Sequence, residues 1–275
     1  MPIDPQDAPA AMARLLDIMA RLRDPKSGCP WDLAQSFATI APHTIEEAYE
    51  VAEAIRAGDM TALADELGDL LFQVVFYAQM AREAGHFSFS DVAAGIAEKM
   101  ERRHPHVFGS AEIADAAAQT RAWEDQKARE RAAAAGGRSP SALDGVLTSL
   151  PGLTRALKLQ RRAARVGFDW PETAGILEKI DEELGEIREA IAAGSEPDRI
   201  EDEIGDLLFS CVNLARRLEA EPESALRRTN AKFEARFRHM EASFEAMGRR
   251  LESQGHEVLE TAWHAAKHAS DSSKA

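Results

Sequence analysis

The sequence predicts an all-α protein assembled from two tandem copies of one helical bundle module. Three observations predict this class: apolar residues recur at helical spacing along nearly the whole chain, no run of alternating β-branched residues competes, and four short motifs occur twice in one order.

The elements follow from that spacing. Leu15, Ile18, Met19 and Leu22 predict a helix over 9–23, and Val51, Ala54 and Ile55 one over 43–57, where Thr44 and Glu47 are spaced as a capping box. A helix over 60–84 ends at Gly85, a residue suited to a left-handed terminus. Ser90 and Asp91 are placed to cap a helix over 90–103, and another is expected over 111–134. The stretch RAAAAGGRSPSALDG, residues 131–145, turns from alanine helix to Gly, Ser and Pro, so the chain is cut there. The first module is assigned to 1–135, a linker to 136–148 and the second module to 149–275. In the second, helices are expected over 153–166, 172–193, 197–219, 221–253 and 257–268. Leu177, Ile180, Leu184, Ile187 and Ile191 mark the 172–193 helix, with Pro171 in its first turn and Gly194 past its end. Phe233, Phe237, Met240 and Phe244 mark the long one at 221–253.

Composition narrows the partners. The 275 residues carry 47 acids against 33 bases, a formal charge of -14, which disfavours nucleic acid and requires cations beside any polyanionic ligand. No apolar run approaches the roughly 20 residues of a membrane span, and the opening MPIDPQDAPA lacks the order of an export signal. Only Cys29 and Cys211 are present, without clustered Cys or His, so neither a disulfide framework nor a thiolate zinc site is indicated. The expected location is the cytoplasm.

The repeats carry the chemistry. EEAYE at 46–50 answers EELGE at 182–186, and ELGDLLF at 66–72 answers EIGDLLF at 203–209. KMERR at 99–103 answers KFEAR at 232–236, and AWEDQK at 122–127 answers AWHAAK at 262–267. Residues three or four apart share a helix face, which pairs Glu183 with Glu186 and Glu203 with Asp206, and likewise Glu47 with Glu50 and Glu66 with Asp69. Like charges at that spacing repel, and carboxylates half-buried beside Leu207, Leu208 and Phe209 need a cation. All-oxygen ligation suits Mg²⁺ or Mn²⁺. Diiron bundles use Glu-x-x-His, and Glu83 with His86 sits at a helix end beside Gly85. Glu-rich helix faces are usually just solvated, but a solvated face has no reason to keep Glu-x-Gly-Asp twice, with Gly68 and Gly205 weakening the helix. Those glycines predict a close approach by a neighbouring helix or a ligand. Lys232 and Arg236 share a face suited to phosphate oxygens, and Trp263 offers a flat surface to a base.

The ordered set EExxE then ExxD, with 15 and 16 intervening residues in the two halves, resembles the MazG family of nucleoside triphosphate pyrophosphohydrolases. GCPWD at 28–32, LGDLLFQVVFYAQMA at 67–81, ERRHPHVF at 101–108 and GFDW at 167–170 make the chain similar to the two-domain bacterial form. The resemblance implies Mg²⁺-dependent hydrolysis of NTPs or dNTPs to NMP and pyrophosphate by a homodimer, with catalysis in the second module. It implies metal ligands at Glu183, Glu186, Glu203 and Asp206 and nucleotide contacts at Lys179, Lys232, Arg236 and Trp263. Glu182 is a candidate general base, with a solvated helix residue as the equal alternative. The first module matches with Glu47, Glu50, Glu66, Asp69, Lys99, Arg103 and Trp123, but has His43 where the second has Lys179, and is expected to be the less active copy. Apolar residues such as Phe209, Phe233, Phe237 and Phe244 exceed what one thin bundle covers, which also points to a homodimer. Rival readings are a nucleotide-binding sensor or scaffold, a narrow dUTPase, and a phosphoribosyl-ATP pyrophosphohydrolase.

Overall fold

Helices begin in this chain where a side chain satisfies the free N–H groups of a first turn. The computed structural model describes residues 7–111, 113–115, 118–120, 122, 123, 126, 129, 130 and 141–272. All regular structure among them is helical, and none of their helices is long and apolar enough to cross a membrane. The chain divides into two units, Met1–Gln126 and Lys127–Ala275.

The first unit contains α1 (Ala8–Leu22), α2 (Pro30–Ala34), α3 (Phe37–Ala57), α4 (Met60–Glu83), α5 (Phe89–Arg103) and α6 (Pro105–Phe108). Helix α3 starts at Phe37, six residues before the expected 43, because Ser36 and Thr39 form a reciprocal capping box upstream. That nucleus carries the helix through Pro42, whose missing N–H would ordinarily interrupt it. Thr44 is therefore interior rather than a cap, and its hydroxyl meets the Tyr77 hydroxyl at 3.0 Å. Asp59 caps α4 by accepting from the Thr61 and Ala62 N–H groups. Ser88, not Ser90, precedes α5, with Asp91 reaching back to its N–H and hydroxyl. Helix α4 packs on α3 and α1 over a core of Met19, Ile40, Val75, Phe76 and Met80.

Two short helices escaped the periodicity. At α2, Pro30 opens the helix, and Arg23 ties the junction by donating to the Asp32 carbonyl and, at 2.7–3.0 Å, to Glu83. Gly28 is required just before it, since a Cβ there would lie 2.4 Å from the Leu22 carbonyl oxygen. At α6, Pro105 starts a new turn directly after His104 ends α5. Of the helix expected over 111–134, residues 111 and 113–115 are not helical, 118–120, 122, 123, 126, 129 and 130 are, and the others lie outside the described residues. Residues 136–140 of the expected linker also lie outside them.

The second unit contains α7 (Gly152–Arg165), α8 (Thr173–Ala192), α9 (Pro197–Arg217), α10 (Pro222–Ala246), a 3₁₀ turn (Leu251–Ser253) and α11 (His256–Ser272). Helix α9 packs on α8 and α7, and α10 on α11 and α7. Among its described residues the buried apolar ones are Leu157, Ile176, Ala190, Val212, Met240, Phe244 and Ala266. Helix α10 ends at Ala246, short of the expected 253, because Gly248 turns the chain at φ 68°. Pro171 lies two residues before α8 rather than in its first turn. It belongs to a loop that GFDW locks: Asp169 pairs with Arg216, which also donates to buried Asn213, and Trp170 lies on Gly175.

Candidate functional site

Helices α8 and α9 bring together the acids that the sequence could place only on separate faces. Glu183, Glu203 and Asp206 each offer a carboxylate oxygen, and the three atoms lie within 4.8 Å of one another. Glu47, Glu66 and Asp69, from α3 and α4, do the same in the first unit. The expected fourth acids stand just outside these sets. Glu186 is held above the ordinary glutamate range, first by a hydrogen bond to Glu183, then by desolvation and by the charges of Glu183 and Glu203. Glu47 is likewise raised, by desolvation and then by Asp69 and Glu50, and Glu66 by desolvation and then by Glu50, Asp69 and Asp65. Each half thus holds four mutually repelling carboxyls.

Burial sharpens the second set. Glu183 is only 3% exposed, and its Oε2 is buried without a hydrogen-bond partner. A buried carboxylate oxygen without a partner is unfavourable, and Lys179 meets only the other oxygen of this group. The donor set is hard oxygen throughout, which fits a divalent cation of the Mg²⁺ or Mn²⁺ type. Glu83, the other acid weighed for metal, is instead bonded to Arg23 and Gln79.

The candidate phosphate groups are arranged less simply than spacing suggests. Lys179 bonds at 2.8 Å to both Glu182 and Glu183, and those hydrogen bonds raise its pKa. His43, its counterpart, sits 3.5 Å from Glu46. Lys232 is exposed on α10 and Arg236 half-buried one turn later. Phe233 beside Lys232 holds the half-buried Trp263, their ring centroids 5.2 Å apart, so the tryptophan is tied to the helix carrying the cations. In the first unit Lys99 and Arg103 lie on α5, and Trp123 approaches His104 at 6.0 Å. Gly68 and Gly205 face open space: no described atom lies within 4 Å of a Cβ built on either, so no helix of the described structure makes the expected close approach.

The model of the MazG nucleotide pyrophosphohydrolase domain matches residues 35–108 and again 172–241. The chain belongs to the MazG family. The nucleoside triphosphate pyrophosphohydrolase of Escherichia coli K12 is 53% identical over 215 residues, covering 78% of this chain and 81% of that protein. The nucleoside triphosphate pyrophosphohydrolase/pyrophosphatase MazG of Thermotoga maritima is 44% identical over 222 residues, or 81% and 82% of the two chains. A nucleoside triphosphate pyrophosphohydrolase of Mycobacterium tuberculosis is 35% identical over 159 residues, 56% of this chain and 46% of that one. The two MazG matches contain both acid sets and the Lys and Arg pairs, whereas Trp123 and Trp263 lie beyond them.

Three residues of the site were missed from sequence. Arg199 stands 3.7 Å from Glu203, and its repeat counterpart is Ala62. Gln73, one turn after Asp69, donates to Glu47 at 3.4 Å. Its counterpart is Ser210, also buried. The available signal was the i,i+4 spacing of Arg199 to Glu203 and of Asp69 to Gln73.

Proposed function

We propose that this MazG protein hydrolyses nucleoside and deoxynucleoside triphosphates, ATP among them, at the α–β phosphoanhydride to give NMP and pyrophosphate. The observation that carries the reading is the buried Glu183 carboxylate, with one oxygen unpartnered, converging with Glu203 and Asp206 in a member of this family. The names of its E. coli and T. maritima relatives support the reaction class.

Glu183, Glu203 and Asp206, with Glu186 beside them, would hold Mg²⁺, for which Mn²⁺ can substitute. A cation bound there neutralises phosphate oxygens and acidifies a coordinated water. The chain supplies the rest. Lys232 and Arg236 bind phosphate oxygens, and Lys179 joins them by turning its ammonium from Glu182 and Glu183 to the substrate. That turn frees the Glu182 carboxylate to accept the proton of the attacking water. Trp263, braced by Phe233, offers its ring to the base, a contact every base can make, which suits broad-specificity removal of unwanted nucleotides in the cytoplasm.

The working form in this reading is a homodimer without nucleic acid or membrane partners. Leu208 and Phe209 are 51% and 43% exposed on the helix that carries Glu203 and Asp206, and Phe233 and Phe237 are exposed on α10. Phe244, also named from sequence, is buried within the chain and contributes no such surface.

The test is product analysis with each of the NTPs and dNTPs in turn. Equimolar NMP and pyrophosphate are expected with Mg²⁺ and none with EDTA; NDP with phosphate, or no turnover on any nucleotide, would overturn the assignment.

A further inference from the structure

Where α7 meets α9 in the second unit, buried polar groups stand in a place that the first unit fills with apolar ones. Gln160 on α7 is 7% exposed, and its Nε2 donates at 2.8 Å to the main-chain carbonyl of Phe209 on α9. The Oε1 of the same amide is buried without a partner. Ser210 and Asn213 of α9 are buried too, Asn213 accepting from Arg216 at 2.8–3.0 Å. In the first unit α1 packs on α4 through Met19, Val75 and Phe76, and Phe76 is the repeat counterpart of Asn213. A methionine would fill the place of Gln160 without an orphaned oxygen, so the amide is there for its directed bond.

We propose that Gln160 is a positioning residue: its bond to the Phe209 carbonyl sets α9 against α7 so that Glu203 and Asp206 meet Glu183. The claim about the acids stands on this geometry, and its bearing on turnover rests on the nucleotide reading above.

The physical reason is direction. Phe209 follows Asp206 by three residues and Glu203 by six on the same helix, so a bond to its carbonyl fixes the rotation and height of α9 beside both acids. A carbonyl oxygen has two lone pairs, one for the helix ladder and one for Gln160. The bond ends on main chain, and no rotamer change on α9 can slacken it. Apolar packing is less exacting, since cores accept hydrophobic replacements of similar volume and lose uniqueness before stability. Helix α9 needs the stricter hold because its acids approach Glu183 within 4.8 Å and repel it. Helix α7 also packs on α10, which carries Lys232 and Arg236, so one bond relates the acids to the proposed phosphate cations.

The experiment compares full-length wild type with Q160M and Q160L. Both remove the donor and leave an apolar side chain of similar volume, so the melting temperature should hold or rise. At saturating Mg²⁺ the kcat for ATP should nonetheless fall at least about tenfold, with KM for ATP held within about twofold, because misplacing the reacting groups by about 1 Å acts on kcat. Metal-free protein is then titrated with Mn²⁺ alone, free Mn²⁺ being read by electron paramagnetic resonance. Q160M should weaken, by at least about tenfold, the same ion that D206N weakens, and the double variant should bind no more weakly than D206N. Wild-type kcat and Mn²⁺ affinity in the folded variants, a fall in kcat that only tracks a lower melting temperature, or a further loss of Mn²⁺ in the double variant would each overturn the proposal. So would a wild type with no Asp206-dependent ion, or two variants that both fail to fold, which would make Gln160 a residue of the fold alone. A wild type that binds the Asp206-dependent Mn²⁺ but turns over no nucleotide refutes the functional reading, and the Mn²⁺ comparison still decides the role of Gln160.

Discussion

At the scale of single residues, Glu183 combines deep burial, one oxygen bonded to Lys179 and one left without a partner. Replacing Asp206 or Glu186 with Ala should lower pyrophosphate release by at least about 100-fold without unfolding the chain, since each change removes a charge from a repelling cluster. A wild-type rate in both variants, measured at saturating Mg²⁺, would sink the ligand assignment. The same repulsion has a pH signature. Glu47, Glu66 and Glu186 bind protons more tightly folded than unfolded, so their contribution to stability is present below the ordinary value of 4.5 and is lost as pH rises through their raised values. The depressed carboxyls Asp24, Glu53, Glu83, Asp91 and Glu221 act in the opposite sense and at lower pH, where their stabilisation is lost on acidification. Metal-free protein should therefore show a melting temperature that falls from pH 4.5 upward relative to E47Q/E186Q, with Mg²⁺ narrowing the gap. Parallel melting profiles for the two proteins would exclude that origin.

At the scale of elements, the glycine of Glu-x-Gly-Asp is the informative position. Gly205 lies within α9 with no described atom near its missing side chain, so the helix bears the full propensity cost, about 1 kcal/mol against Ala, for no contact inside the described structure. In the proposed function a ligand or a second copy of the chain would approach there. Gly205→Ala should raise the melting temperature by roughly 2–4 °C while lowering nucleotide turnover. A variant both more stable and fully active would leave the glycine without a functional reason. Helix α3 teaches the complementary point. Its expected start at 43 went with the Thr44–Glu47 spacing, whereas the box that forms is the upstream Ser36–Thr39 pair.

For the whole molecule, the duplication sets two comparable sites in one chain and lets single substitutions rank them. Glu186→Ala should abolish pyrophosphate release and Glu50→Ala should spare most of it, because Lys179 and Arg199 stand beside the second set whereas His43 and Ala62 replace these bases in the first. The reverse pattern would exchange the two roles. The exposed Leu208, Phe209, Phe233 and Phe237 call for a covering surface, so light scattering at micromolar concentration should return twice the 30.1 kDa chain mass. A value near the chain mass itself would refute the homodimer.

The sequence by itself determined the helical class, the duplication, the family and the faces on which the acids lie. Each of these is a matter of local period: residues three or four apart share a helix face whatever the helix packs against, and a motif repeated at offsets of 136 and 137 keeps its meaning in both copies. Only the tertiary structure decided which carboxylates converge. Glu183, Glu203 and Asp206 meet while Glu186 stands beside them, because the register of α8 against α9 is set by buried residues such as Ile176, Ala190 and Val212, which lie away from the motif. It also decided that Lys179 and Arg199 point to the acids and that Gln73 carries an orphaned oxygen at the first set. Side-chain partners across a helix pair depend on rotamer and packing, and no periodicity along one strand of sequence encodes them.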